Sequence, residues 1–329
     1  MKLRARAASA SLAAFAASAS LAASACDVGQ GPSTGIGEPL IVANAQFIPG
    51  DLPPYPDAGP LAADAGPRPL TVLVVSSPGS EIVPGGGLSV GGSVTDDTAA
   101  VGVRLVNQGT GYWVVPAGVP DLTMTNALTF GVLASFDPND PPGKQLLRFQ
   151  AIGGSGAGGI PYDLEVCVES RIPDNGHACK PSIAPPGAVF SLQWDTNFDL
   201  DLHVTTPTGQ QYSPKLPLGE TLDADTTSTP KNIPYIDRDS LRGCVPDGLR
   251  QEDLIFPEGL TKGRYDIYVD PYAACGQNQA HFTFAVYQSS GTCPDCNLHQ
   301  VFTIGGELLA SQVTGGTAPP LFVHELVAQ

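Results

Sequence analysis

The chain has 329 residues, and its 32 acidic against 16 basic side chains give a formal charge of -16 at pH 7. Such acidity repels phosphate and argues against a nucleic-acid partner. The 38 glycines and 32 prolines are unfavourable in long helices, and no stretch of ten or more residues keeps a helical period, which points to an all-β chain of short strands.

The first residues place Lys2, Arg4 and Arg6 before an apolar, Ala-rich run from Ser11 to Ala25. Residues 1–25 thus read as a signal peptide with charged, apolar and small-residue regions. The run ends in Ala23-Ser24-Ala25-Cys26, which resembles a lipobox, although Ala23 stands where Leu is commoner. The resemblance implies cleavage before Cys26 and lipidation of that cysteine, with palmitate among its acyl chains. An ordinary secretory peptide cut near Ala25 is the alternative. Several acyl chains on one residue anchor firmly at roughly 0.8 kcal/mol per buried methylene. The expected location is therefore the cell envelope, with the outer or inner membrane as partner through the N-terminal lipid and the protein facing the periplasm or the exterior. Asp27 resembles an inner-membrane retention signal, a rule that varies among lineages. No later segment has the run of about 18 apolar residues that a spanning helix requires. Cleavage removes three basic and no acidic side chains, which takes the formal charge from -16 to -19.

Seven cysteines less Cys26 leave six, an even number suited to an exported compartment where disulfides persist. Sequence order suggests Cys167 with Cys179, Cys244 with Cys275, and Cys293 with Cys296, although six cysteines admit many other pairings.

Residues 26–67 are rich in Gly, Pro and Ala without an apolar period and read as a flexible tether. From Leu70, apolar runs alternate with turn residues: LTVLVV, LSVGGSV, VGVRLV, YWVV, LTFGVLASF, KQLLRFQAI and YDLEVCV. These seven runs suit an immunoglobulin-like β-sandwich over residues 68–179. The segment SSPGSEIVPGGGLSVGGSVTDDTAAVGVRL resembles the opening of bacterial immunoglobulin-like adhesin domains, which implies a spacer or recognition module. A Pro-rich stretch over 180–187 separates this set from a second, AVFSLQW, DLDLHVTTP, LDADT, DLIF, RYDIYVDPY, HFTFAVYQ, VFTIGG and LFVHELV. The second set suits another β-sandwich over 188–329.

The sharpest local signal is LQWDTNFDLDLHVTTPTG. Leu200, Leu202 and Val204 alternate with Asp199, Asp201 and His203, so on a strand the first set faces the core and the second faces out. Asp195 and Asn197 extend an i, i+2 rhythm of oxygen-bearing residues, but the spacing is not that of an EF-hand. This region resembles the YfaP-like bacterial domain of unknown function, similar in turn to pre-peptidase C-terminal sandwich domains. The matching elements are Trp194, Asp199 to Val204, Pro207 with Gly209, Leu222 to Asp225, Glu252 before an apolar strand, and Gly263 to Val269. An insertion around residues 232–251 departs from the pattern. The resemblance implies an accessory sandwich on exported proteins, with a candidate calcium site and no catalysis.

Calcium takes 6 to 8 oxygen ligands, so Asp199 and Asp201 need help, with Asp223 and Asp225 first and Glu252 next. The competing reading is a solvated strand face with Asx turns. His203 reads as a strand-face residue. CPDC at 293–296, with His299 nearby, reads as a disulfide turn rather than half a zinc site, because the two further ligands zinc needs are not apparent.

No HExxH motif is present. The expectation is thus a non-catalytic envelope lipoprotein acting as a surface-binding or adhesion-type module, with an envelope glycan or protein as partner. Tyr235, Tyr268 and Tyr272 are candidates for an aromatic platform, or are ordinary strand tyrosines. One alternative is a structural envelope component without a ligand. The other is a metal-dependent hydrolase, which would require a cleft where Asp199, Asp201 and His203 converge with acids from other strands.

Overall fold

Apolar residues at every second position bury one face of a strand, and the two stretches of such strands each close into a pair of facing, largely antiparallel sheets. The computed structural model describes residues 38–55, 70–219 and 232–329; Cys26, Asp223 and Asp225 lie outside them. The fold is all-β. Helical turns among the described residues are limited to three residues each at Arg242–Cys244 and Ala310–Gln312, and no helix is long and apolar enough to cross a membrane.

In the first sandwich one sheet contains β1 (Leu40–Val42), β8 (Ala127–Phe136), β5 (Gly87–Thr95) and β3 (Val72–Ser76), in that order. The facing sheet runs β2 (Gln46–Pro49), β7 (Gly111–Pro116), β6 (Thr98–Leu105), β9 (Gly143–Gly153), β10 (Tyr162–Val168) and β4 (Glu81–Ile82). Their inner faces supply Leu40, Val90, Val103, Trp113, Phe130, Val132, Leu147, Phe149 and Val166 to one core. The period-2 pattern is plain in β8, where Phe130, Val132, Ala134 and Phe136 are all buried.

Residues 40–49 depart from the tether expected there. β1 pairs with β8 and β2 pairs with β7, Trp113 Nε1 donates to Leu40 O at 2.6 Å, and Phe47 packs 5.2 Å from the Trp113 ring. Short apolar runs, Leu40–Val42 and Phe47–Ile48, lie inside a stretch that is Pro- and Gly-rich on either side, and long-range pairing makes strands of them. Among strand pairs, β4 with β10 is parallel.

The second sandwich has a five-stranded sheet of β14 (Tyr235–Ile236), β15 (Gln251–Phe256), β11 (Ala188–Trp194), β17 (Gln279–Ser290) and β18 (Asn297–Leu309). Against it lies a four-stranded sheet of β13 (Gln211–Tyr212), β12 (Asp199–Thr205), β16 (Gly263–Ala273) and β19 (Leu321–Ala328). Phe190, Leu192, Phe198, Leu200, Leu202, Leu254, Tyr265, Ile267 and Phe284 fill the space between them. At the mouth of β11, a side chain on Gly187 would collide with the backbone of Gly259, so only glycine permits the two turns to meet.

The six described cysteines pair in sequence order: Cys167–Cys179, Cys244–Cys275 and Cys293–Cys296. The Cys244–Cys275 bridge spans 31 residues, and closing a loop of that length removes about 3–4 kcal/mol of unfolded-chain entropy. The two sandwiches touch through reciprocal hydrogen bonds, Arg171 Nε to Gln251 Oε1 at 3.1 Å and Gln251 Nε2 to Arg171 O at 3.0 Å.

Candidate metal centre

Side chains alternate along β12, so Asp199, Asp201 and His203 share the face opposite the core. Antiparallel pairing with β16 sets Asp201 across from Asp270 and His203 across from Tyr268. The alternation expected from the sequence is therefore present, but the face is not solvated. Asp199 is 1% and Asp201 2% exposed, because loops cover this side of the sheet.

The main cover is a strap over residues 237–247, part of the insertion seen in the sequence. Gly243 N–H donates to Asp199 Oδ2 at 3.0 Å. Asp239, on the same strap, joins Asp199 and Asp201 so that the three offer carboxylate oxygens within 4.8 Å of one another. The Cys244–Cys275 bridge ties the strap to the chain just past β16. From the turn after β13, Lys215 brings Nζ to 3.5 Å from Asp201 Oδ2 and 3.7 Å from the centre of the Tyr272 ring.

A second group shares Asp201. Asp201, His203 and Asp270 also offer ligand atoms within 4.8 Å of one another, with His203 Nε2 4.0 Å from Asp270 Oδ2. Asp270 is 3% exposed, yet its Oδ1 and the Nε2 of His203 have no hydrogen-bond partner among the described residues. Buried polar atoms left unpaired are costly and call for an explanation. Both residues line a groove of about 420 Å³ together with Tyr212, Lys215, Tyr268 and Pro319.

Burial dominates the electrostatics. It pushes Asp199 up to about 6 against the opposing hydrogen bond from Gly243, and Asp201 up to about 7 against the attraction of Lys215, with Asp199, Asp239 and Asp270 adding repulsion. Burial likewise raises Asp239 and holds His203 below its usual range, which keeps the imidazole neutral. Arg242 Nε stands 3.7 Å from Asp239 Oδ2 and offsets that acid in part; carboxylates crowded this closely gain from a divalent cation.

Other residues singled out in the sequence have different employments. Glu252 is fully buried on β15, where it accepts hydrogen bonds from Leu202 N at 2.7 Å and Ser240 N at 3.2 Å. The unpaired edge of β12 leaves the Leu202 N–H without a strand partner, and Glu252 supplies one from the opposite sheet. Burial, then the charge of Asp201, pushes its carboxyl well up. Glu252 thus acts as a structural bridge beside the cluster instead of a member of the three-carboxylate set. Asp195 and Asn197 are exposed, and Asp195 accepts from His281 N at 2.9 Å, so the i, i+2 rhythm breaks at Phe198, which turns into the core. Tyr235 lies in the other sheet from Tyr268 and Tyr272; Tyr268 packs edge-on to Phe322 at 5.5 Å. The three do not form one platform.

At the CPDC turn the neighbour is His177, not His299. His177 Nδ1 lies 2.7 Å from Ile183 O and 3.7 Å from Cys296 Sγ, while His299 faces Ser290.

Asp239, Lys215 and Asp270 were not marked by sequence pattern. For Asp270 a signal existed: it directly follows Val269 in the GRYDIYV strand, on the same alternating set as Tyr268.

No family model matches the chain, and no curated protein matches it. Among solved structures, it is similar to one titled as the Enterococcus faecalis MSCRAMM ACE, which binds its ligands by the collagen Hug Model. The identity is 9%, over 77% of this chain and 96% of that one, with a TM-score of 0.19.

Proposed function

We propose that this chain is a non-catalytic cell-envelope protein, held by a lipid on Cys26, that displays two β-sandwiches as a surface-binding module and uses calcium to close the second. The observation that carries the calcium reading is the burial of Asp199 and Asp201 with the partly buried Asp239 brought within 4.8 Å of both. A solvated strand face would leave such acids exposed, whereas Asp199 and Asp201 are covered, and three crowded carboxylates are served by Lys215 at Asp201 and Arg242 at Asp239. Three carboxylates offer six oxygens, and their separation suits ligands at about 2.3–2.6 Å from a shared ion. Asp223 and Asp225 belong to the same proposal as further donors.

Calcium binding to the folded protein alone stabilises it by about 2.7 kcal/mol at a hundredfold excess over Kd, which corresponds to roughly 5–10 °C in a sandwich of this size. Thermal unfolding of the full chain in millimolar calcium should show that rise over EDTA, and Asp199→Asn with Asp201→Asn should abolish it. Superimposable wild-type curves in the two conditions would refute the calcium site.

The lipid is supported by the position of Cys26 at the end of the apolar run and by the even number of cysteines left once it is set aside. Cys26→Ala is expected to leave unprocessed precursor or to move the protein from the membrane to the soluble fraction. Unchanged membrane partitioning of that variant would rule the anchor out.

A further inference from the structure

We propose that Asp201, His203 and Asp270 form a second metal position, distinct in chemistry from the all-carboxylate one, that takes a divalent transition metal such as zinc or manganese and opens onto the adjoining groove. The inference deepens the cation reading by sharing Asp201 with it, but its ligands and its test are separate.

The two groups differ in donor type. Asp199, Asp201 and Asp239 offer oxygen only, which suits calcium. Asp201, His203 and Asp270 offer two oxygens and an imidazole nitrogen, and imidazole favours zinc, iron, nickel and copper while carboxylate favours manganese and magnesium. A mixed set selects the borderline metals. Ligands on opposite sides of such an ion, at about 2.0–2.2 Å each, stand up to about 4.4 Å apart. The His203 Nε2 to Asp270 Oδ2 distance of 4.0 Å lies inside this limit, and since only one pair of three ligands can stand opposite, the others, now within 4.8 Å of one another, close by up to about 1.5 Å through side-chain rotation on binding.

More than an acidic cluster is present. Asp270 is 97% buried, its exposure being 3%, and its Oδ1 has no hydrogen-bond partner, nor has His203 Nε2. Two unpaired polar atoms of opposite strands stand at one groove wall. An unpaired buried polar atom is destabilising, and a metal ion held by the Asp270 carboxylate and His203 Nε2 gives the imidazole nitrogen its partner. Asp201 has two oxygens, so it can serve one ion on each side, the arrangement of sites that hold two metals about 3.5–4 Å apart.

Lys215 occupies the approach. Its Nζ, 3.5 Å from Asp201, is the cation that now offsets this carboxylate, and its half-exposed side chain rests on Tyr272. With three protein ligands, a transition metal retains positions for other donors. Those positions lie where His203 and Asp270 meet the groove, and the ammonium of Lys215 on the same wall favours an anionic oxygen ligand, a carboxylate or a phosphate.

Cobalt(II) is a suitable probe because its visible absorption reports ligation directly. The full chain, saturated with calcium, should bind one further equivalent of Co2+ with a saturable visible band. His203→Gln should lose that band while keeping the calcium-dependent rise in melting temperature, which shows that the variant folds. Asp239→Asn should lose the calcium rise and keep the band. Lys215→Met should bind Co2+ about tenfold more tightly or better, since a like charge is removed. Adding acetate or phosphate should perturb the band, and the anion that does so identifies the ligand chemistry. A band unaltered in His203→Gln, or no saturable band in the wild type, overturns the second position. A His203-dependent band with no calcium effect on melting supports this position while removing the calcium reading.

Discussion

Glu252→Ala is expected to destabilise the second sandwich by about 2–6 kcal/mol, because two buried backbone N–H groups lose their acceptor at roughly 1–3 kcal/mol each. Leu202 N and Ser240 N both donate to this one carboxyl group, and neither is replaced by solvent when the side chain is fully enclosed. The loss is a large fraction of the roughly 5–15 kcal/mol that holds a typical domain folded. It should appear in urea titration as a lower midpoint with an unchanged slope. Glu252→Gln keeps the shape but turns an amide NH2 toward one of the donors, so it should fall between wild type and alanine. An alanine variant with the wild-type midpoint would show that the bridge from β15 to the edge of β12 carries no weight.

Phe190→Ala should cost about 3–5 kcal/mol, the usual range for deleting a buried aromatic ring. Phe190 on β11 lies at the centre of a ring cluster, with centroids 4.9 Å from Phe256, 5.6 Å from Tyr265 and 5.7 Å from Phe284. The edge-on contacts with Tyr265 and Phe284 add to simple burial. Because the two cores share no residue, the first sandwich should keep its own midpoint when the second is weakened. Chemical unfolding followed by the fluorescence of Trp113 and Trp194, one in each core, separates the two. A decrease below about 1 kcal/mol, or an equal decrease at Trp113, would contradict this account.

How far the sequence disclosed these features depends on whether they are local. The strand runs were legible because period-2 patterning and turn residues act within a few positions, and β3, β5 to β12 and β15 to β19 fall on the runs that pattern marks. The sidedness of Asp199, Asp201 and His203 was legible for the same reason. What covers that side was not. Alternation tells which face a residue takes and nothing about a strap arriving from some 40 positions away, so acids read as outward turned out to be enclosed. Asp239 sits in that strap and carries no period. Glu252 was marked as an acid before an apolar strand, but its role follows from the missing neighbour of β12 at Leu202, a property of the sheet. Residues 40–49 misled in the opposite direction, since their partners in β7 and β8 lie roughly 65 to 95 positions away.

The Cys244–Cys275 bridge supplies none of the proposed cation ligands, yet it tethers the strap that carries Asp239 beside Asp199. One cysteine follows Gly243, the residue that donates to Asp199, and the other lies just past the strand that carries Asp270. With the bridge closed, Asp239 is presented to the strand at a high effective concentration, and the ordering of the strap is complete before any ion arrives. With it open, each binding event must bear that ordering entropy itself. Should the proposed cation bind, its affinity would be linked to the state of this disulfide, and the chain with the bridge reduced would hold the ion more weakly than the oxidised chain.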